Sequence, residues 1–198
     1  MKINKEFYRR SGLEVAPDLL GMTLVHKTDQ GIVKGKIVEV EAYMGTKDKG
    51  AHSYSGKATK RTKVMFGQYG HAYVYLIYGM HYCMNVVTNE VDIPEAVLIR
   101  ALEPIDGIDL MTKRRYGKSL KNLCSGPGKL CQAMGIDKDN NGMDLTGNQL
   151  YIEKPQVSED FEIIRSKRVN IDYAEEAKDF LWRFSIKDNG FVSKPIPV

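Results

Sequence analysis

Between Lys49 and Asn89 the chain has no aspartate and no glutamate, although it carries 25 acidic residues in all. Cysteine is scarce: Cys83, Cys124 and Cys131 form an odd set without paired spacing. That excludes a disulfide framework and is the usage expected of a reduced, intracellular protein. No His-Glu-x-x-His or Cys-x-x-Cys spacing occurs, so no metal is expected. "GPGKL" lacks the full spacing of a phosphate loop, and no cofactor is expected. No apolar run approaches the ~18 residues of a membrane span. The opening "MKINKEFYRR" has no apolar stretch of a secretory signal, so a cytoplasmic location is expected.

The acid-free window holds Lys49, Lys57, Lys60, Arg61 and Lys63, three of the four histidines and seven aromatics, from Tyr54 to Tyr82. Basic side chains neutralise phosphates, and flat aromatic faces stack on unpaired bases. Two readings fit: a nucleic-acid surface, or a tyrosine-rich core strand beside a solvated basic loop.

A chain of 198 residues with 42% apolar content is long enough for one domain, residues 1–198, with a real core. Residues 3–10 read as helix. "APDLLG" starts a second, with Pro17 in its first turn and Gly21 at its stop. "MTLVHKT" and "GIVKGKIVEVEAYMG" read as strands joined by "DQG". Residues 45–71 read as a long loop. "HAYVYLIYGMHYCMNVVT" is strand interrupted at Gly79, and "EAVLIRALEP" is strand. "IDGIDLMTKRRYG" is helix. "CSGPGKLCQAMGI" is a helix with Ser125 as N-cap, Pro127 in its first turn and Gly135 at its end. "QLYIEK" and "FEIIRSKRVNI" are strands, "YAEEAKDFLWRFSI" passes from helix to strand, and the tail "NGFVSKPIPV" closes irregularly. Strands and short helices without regular alternation imply α+β: a single compact domain around a curved, mainly antiparallel sheet with flanking helices.

In "KIVEVEAYMG" a period of two places Ile37, Glu39, Glu41 and Tyr43 on one face. Two carboxylates beside a tyrosine belong either to water or to a cleft. Arg100, inside "AVLIRAL", is costly to bury unless paired. Its partner is Glu41, or else Glu39 or Glu103 in a bridge that holds the sheet together. Tyr78 precedes Gly79, where the strand can bend and project a side chain.

The ordered blocks "VEVEAYMG", "AHSYSG", "TKVMF", "AYVYLIYGMHYCMN", "LIRALEP" and "LCSGPGKLCQAMGI" closely resemble the alkyladenine (3-methyladenine) DNA glycosylase family of base-excision repair. The resemblance runs from Pro17 to Val192, more loosely after Leu145 around "RVNIDYAEEA" and "LWRFSI". It implies cleavage of the N-glycosidic bond of a damaged purine rotated out of double-stranded DNA. Glu41 matches the general base that activates a water. Arg100 matches the arginine that helps hold that water, and the Val169 carbonyl matches a third ligand to it. Tyr43, His52 and Tyr75 match the residues that sandwich the base, and the backbone around Gly50 and His52 reads its edge. Asn85 matches the residue that crowds the exocyclic amino group of a normal guanine. Tyr78 matches the wedge that fills the vacated stack, flanked by Met80 and His81, while Lys57, Lys60, Arg61 and Lys63 lie over phosphates.

The chain departs from the family pattern at His81, where an aromatic is common, and at Asn170, where glycine is usual. "NEVDIPEA" has no functional account. No lysine falls at the matched pocket positions, so a Schiff base and a strand-nicking lyase step are not expected. The expected partner is duplex DNA with a damaged purine; no membrane and no obligate protein partner are expected, and the chain is expected to be a monomer. The competing reading is a non-catalytic RNA or single-strand binding module, in which Glu41 is incidental.

Overall fold

β-branched residues concentrate in the segments that pair, and the longest of these organises the molecule. A computed structural model describes residues 1–155, 157 and 159–194; the last four residues of the expected irregular tail lie outside these. The strands are β1 (Thr23–Thr28), β2 (Gly31–Tyr43), β3 (Ala72–Ile77), β4 (His81–Thr88), β5 (Glu95–Asp106), β6 (Leu150–Glu153), β7 (Ile163–Ser166) and β8 (Arg183–Ile186). They form one eight-stranded sheet in the order β3-β4-β5-β2-β1-β6, with β8 on β2 and β7 on β8. Every pairing is antiparallel. The fold is α+β, as expected.

β2 is long enough to serve three neighbours. Its first half pairs with β1, its second half with β8, and nearly its whole length with β5. Residues 37–42 of β2 and 95–102 of β5 are buried without alternation, because both faces of this central pair are covered. The β2–β5 register shifts three times, once between Lys34 and Gly35 and twice beside Glu39. Ile37 opposes Leu102, Glu39 opposes Ala101 and Val40 opposes Ile99. Val38 is thus skipped on one strand and Arg100 on the other. Such bulges re-aim side chains, and here they set Arg100 against Glu39 and Glu41.

Helices α1 (Lys5–Tyr8), α2 (Gly12–Leu19), α3 (Ile108–Arg114), α4 (Leu120–Leu123) and α5 (Pro127–Met134) flank the sheet. The core joins Leu19, Leu24, Ile37, Met84, Ile99, Leu102 and Leu130. Each such side chain contributes about 1.5–3 kcal/mol on burial.

Local chemistry moves several expected boundaries. α2 begins at Gly12, because Ser11 and Glu14 form a reciprocal capping box. Pro17 therefore sits inside the helix, near its end, and Gly21 follows in left-handed backbone (φ 80°). The N-cap of α5 is Gly126, not Ser125. Ser125 is drawn into a bridge with Ala101, and its hydroxyl accepts from Lys129 Nζ at 3.3 Å. Pro127 does open α5, and Gly135 ends it in left-handed backbone (φ 71°). The 45–71 loop contains 3-10 turns at Gly45–Lys47 and Lys63–Phe66. Only Ile163–Ser166 of "FEIIRSKRVNI" is strand, and "YAEEAKDF" forms a 3-10 turn at Glu175–Asp179.

The stretch "NEVDIPEA" acquires a structural role. Glu90 pairs with Arg9 at 2.6 Å, and the Glu95 carboxylate accepts from the Gly12 amide at 2.7 Å and the Ser11 hydroxyl at 3.2 Å. Its acids anchor the two N-terminal helices. Among the described residues no helix is long and apolar enough to cross a membrane. The three cysteines are free and buried.

Candidate active site

At the C-terminal end of β2 the sheet opens into a cavity of about 300 Å³. The strands β2, β3, β4 and β5 bring Tyr43, Tyr73, Tyr75, Cys83, Asn85 and Arg100 to its wall, and the 50–52 and 169–173 loops add Gly50, His52, Val169 and Tyr173. Tyr78, His81 and the first residues of α5 form its rim. Of the residues singled out from the sequence, Tyr43, Gly50, His52, Tyr75, Asn85, Arg100, Val169, Tyr78 and His81 thus meet at one recess.

Glu41 lies directly behind this wall, with no exposed surface. Its Oε2 accepts from the Tyr43 hydroxyl at 2.9 Å and lies 3.3 Å from Arg100 Nη1. Its Oε1 accepts from the Val169 amide at 2.7 Å. The Val169 backbone N–H thus holds the carboxylate itself, a contact distinct from the water-ligand role that the resemblance gives to the Val169 carbonyl. All three groups that hold the carboxylate line the cavity, whereas Glu41 itself does not; it adjoins the cavity through them. A carboxylate has about four acceptor sites, so these three contacts leave room for one more donor.

The open choice of partner for Arg100 resolves into two carboxylates at once. Its Nε donates to Glu39 Oε1 at 3.0 Å while Nη1 reaches Glu41. Glu103 instead pairs with Lys36 at 3.3 Å. Burial works against the Arg100 charge, but Glu41 and Glu39 outweigh it and hold the guanidinium above its usual range.

The aromatic wall is packed edge to face at His52 and tilted between the two tyrosines. The His52 and Tyr75 rings lie 4.6 Å apart, and Tyr73 and Tyr75 lie 5.3 Å apart. Burial, followed by the nearby Arg61 charge, pushes the His52 pKa down to about 4. Arg61 Nη2 is 3.4 Å from His52 Nε2, and His52 Nδ1 is 3.1 Å from the Tyr73 hydroxyl. A guanidinium can only donate, so Nε2 is the acceptor and Nδ1 carries the proton. Asn85 is buried and donates to the Tyr73 carbonyl at 3.1 Å.

At the rim, β3 and β4 join through Tyr78, Gly79 and Met80. Tyr78 (φ 53°) and Gly79 (φ 68°) both have left-handed backbone. For a tyrosine this costs about 1–2 kcal/mol. The turn presents Tyr78 74% exposed and Met80 72% exposed. Beside it α5 approaches so closely that a Cβ on Gly128 would lie 2.9 Å from His81 Cβ. Met80 does not line the cavity, nor do Lys57, Lys60, Arg61 and Lys63. The lysines are exposed on the preceding loop. Arg61 is exposed as well, with its guanidinium 4.9 Å over the Tyr75 ring.

Four features escaped the sequence reading. Arg168 forms a two-point pair with Asp48 (2.5 and 2.7 Å) and stacks between Tyr43 and Trp182. Arg183 donates to Glu39 at 2.7 Å. Tyr173 reaches the Gly50 carbonyl at 3.5 Å across the cavity mouth. Lys194 also lines the cavity, although no lysine was expected there. The signal for Arg168 was its place next to Val169; nothing local marked the others. Asn170, where glycine is usual in the family pattern, lines the cavity with φ 60°. Asparagine is one of the few other residues that adopt this conformation readily. Among the described residues no group of three or more His, Cys, Asp or Glu gathers as a metal site.

The family described as methylpurine-DNA glycosylase (MPG) matches residues 6–190 of this chain. A protein of Clostridium acetobutylicum with the name "Putative 3-methyladenine DNA glycosylase" is 56% identical, with 98% of each chain covered. Proteins of the same name from Alkaliphilus oremlandii and Bacillus cytotoxicus are 55% and 52% identical, each over 98% of this chain and all of theirs.

Proposed function

Because this chain belongs to the methylpurine-DNA glycosylase family, and is therefore a DNA glycosylase of base-excision repair, we propose that it excises alkylated and deaminated purines through a water activated by Glu41. The substrates of this reading are 3-methyladenine, 7-methylguanine, hypoxanthine and ethenoadenine in double-stranded DNA, and the protein acts as a monomer. One observation carries it: a buried carboxylate held by Arg100, Tyr43 and Val169 immediately behind an aromatic cavity.

The damaged nucleotide leaves the stack, and Tyr78 fills the gap from the minor groove. Its base enters between Tyr43 on one side and His52 and Tyr75 on the other. An alkylated purine is electron-poor and often cationic, so the ring faces attract it by about 0.5–2 kcal/mol. The neutral imidazole of His52 avoids repelling that charge. The Gly50 backbone reads the purine edge, and Asn85 crowds the amino group that marks normal guanine. Lys57, Lys60 and Lys63 lie along phosphates.

Glu41 then accepts a proton from a water that Arg100 and the Val169 carbonyl help to hold. The oxygen attacks the anomeric carbon as the bond to the purine breaks. The same carboxylate steadies the oxocarbenium-like sugar. The products are the free base and an abasic site. Water is the nucleophile, so no lyase step follows.

The test is a duplex with one hypoxanthine or ethenoadenine, incubated and then cleaved with alkali. Wild type releases the base, and Glu41→Gln lowers the single-turnover rate about 10²–10⁴-fold. Undiminished release by Glu41→Gln would overturn the mechanism.

A further inference from the structure

The catalytic arginine of the proposed mechanism is not held by Glu41 alone. Its Nε is fixed by Glu39, a carboxylate with no exposed surface. Glu39 Oε1 is shared with Arg183 Nε at 2.7 Å. Glu39 Oε2 accepts from the backbone amide of Ser193 at 2.6 Å. That donor comes from the far end of the chain. The Ser193 hydroxyl also lies 3.4 Å from Arg100 Nη2, and the Lys194 carbonyl accepts from the Arg183 guanidinium. Lys194 then lines the cavity itself. Upstream, Asn189 ties the segment down by donating to Glu103 at 3.0 Å.

We infer that the C-terminal strap Phe191–Lys194 is a positioning element of the reaction centre: through the Ser193 amide it fixes Glu39, and through Glu39 it sets the angle at which Arg100 meets Glu41. This inference rests on the reading that Glu41 and Arg100 hold the attacking water. The physical reason is geometric. A guanidinium is rigid and planar, so with its Nε pinned it can only pivot as a unit about that contact, carrying both Nη atoms with it. The carboxylate that pins it is itself fixed only when both oxygens are occupied. Without the Ser193 N–H, Glu39 Oε2 is left without its closest donor in a dry site and turns toward an arginine. Arg100 Nη1 then leaves its place beside Glu41. A displacement of ~1 Å in such a group costs about 10²-fold in rate. Glu39 and Ser193 touch no substrate in this scheme; they act through Arg100.

The experiment measures single-turnover release of ethenoadenine from a duplex, over a range of enzyme concentrations. Three variants are compared: Ser193→Pro, which removes the N–H; Ser193→Gly, which keeps it and loses the hydroxyl; and a chain ending at Val192. The maximal rate falls about 10–100-fold for Ser193→Pro and the shortened chain, less for Ser193→Gly, while the half-saturating concentration stays within about twofold. The Arg100 Nε–H resonance moves in the nuclear magnetic resonance spectrum in the same order. Thermal melts report folding. Should the proline variant not fold, an amide-to-ester exchange at 193, made by ligating a synthetic C-terminal peptide, removes the same donor and no side chain. A wild-type maximal rate in the N–H-deficient protein, or an unmoved Arg100 resonance, overturns the inference. If Glu41→Gln releases base at the wild-type rate, the underlying mechanism fails instead. If Glu41→Gln is inactive while Ser193→Pro is fully active, the strap alone is ruled out.

Discussion

Asp48 and Arg168 form a two-point ion pair with neither side chain exposed, 2.5 and 2.7 Å across. The same guanidinium donates to the carbonyls of Ala42 and Ala177 and lies 4.7 Å from the Tyr43 ring centre. One arginine thus locks together the end of β2, the loop that carries Gly50 and His52, and the segment that carries Val169. Asp48→Ala leaves that charge buried and unpaired. The expected loss is about 3–5 kcal/mol in urea unfolding. A loss below ~1 kcal/mol would show that the pair does not hold these walls.

Tyr78 stands on a strained turn with most of its ring in solvent. Tyr78→Ser should weaken binding to a lesion duplex about tenfold or more, in line with ~1–3 kcal/mol per stacked aromatic. Fluorescence of ethenoadenine in the complex reports whether the base still leaves the stack. Unchanged affinity would remove the wedge assignment.

His52 supplies a pH dependence. Its pKa is pushed down to about 4, first by burial and then by Arg61. The unfolded chain binds this proton below the usual value of about 6.5, whereas the folded chain does not until about pH 4. Unfolding is therefore favoured progressively as pH falls from ~6.5 to ~4, and the effect levels off below that. Melting temperatures of wild type and His52→Gln across this window should converge toward the acid end. Parallel curves would assign the acid sensitivity elsewhere.

The exposed lysines and Arg61 make different predictions. Lys57, Lys60 and Lys63, if each neutralises one phosphate, should each account for about 0.9 in the slope of log K against log salt. Their alanine variants flatten that slope by this amount. Arg61→Ala should instead alter the aromatic wall, seen as a raised His52 pKa by proton resonance. A salt slope that Lys60→Ala leaves untouched would take that residue off the phosphate path.

Lys194 tests the absence of a lyase step. Borohydride added during turnover reduces any imine between a protein amine and the abasic aldehyde to a stable link. With water as the nucleophile no protein–DNA adduct accumulates. A trapped adduct lost in Lys194→Met would convert the proposal to a glycosylase with lyase chemistry.

Much of this protein was readable in order along the chain. Period-two patterning located the strands, and Gly79 located the bend that presents Tyr78. The blocks around Glu41, His52, Tyr75 and Arg100 pointed to the family. These signals are local: backbone sterics, side-chain period and short runs of residue types, all carried by neighbours in sequence. What tertiary structure decided was pairing over distance. The two register shifts beside Glu39 skip Val38 and Arg100, and only they bring Arg100 to both carboxylates. Asp48 finds Arg168, and Glu39 finds Arg183 and Ser193, across more than a hundred residues. A buried charge must find an opposite charge or a donor, but that rule names no partner. The partner is set by which segments the sheet order and its bulges bring within three ångströms or so, and a linear pattern does not contain that distance.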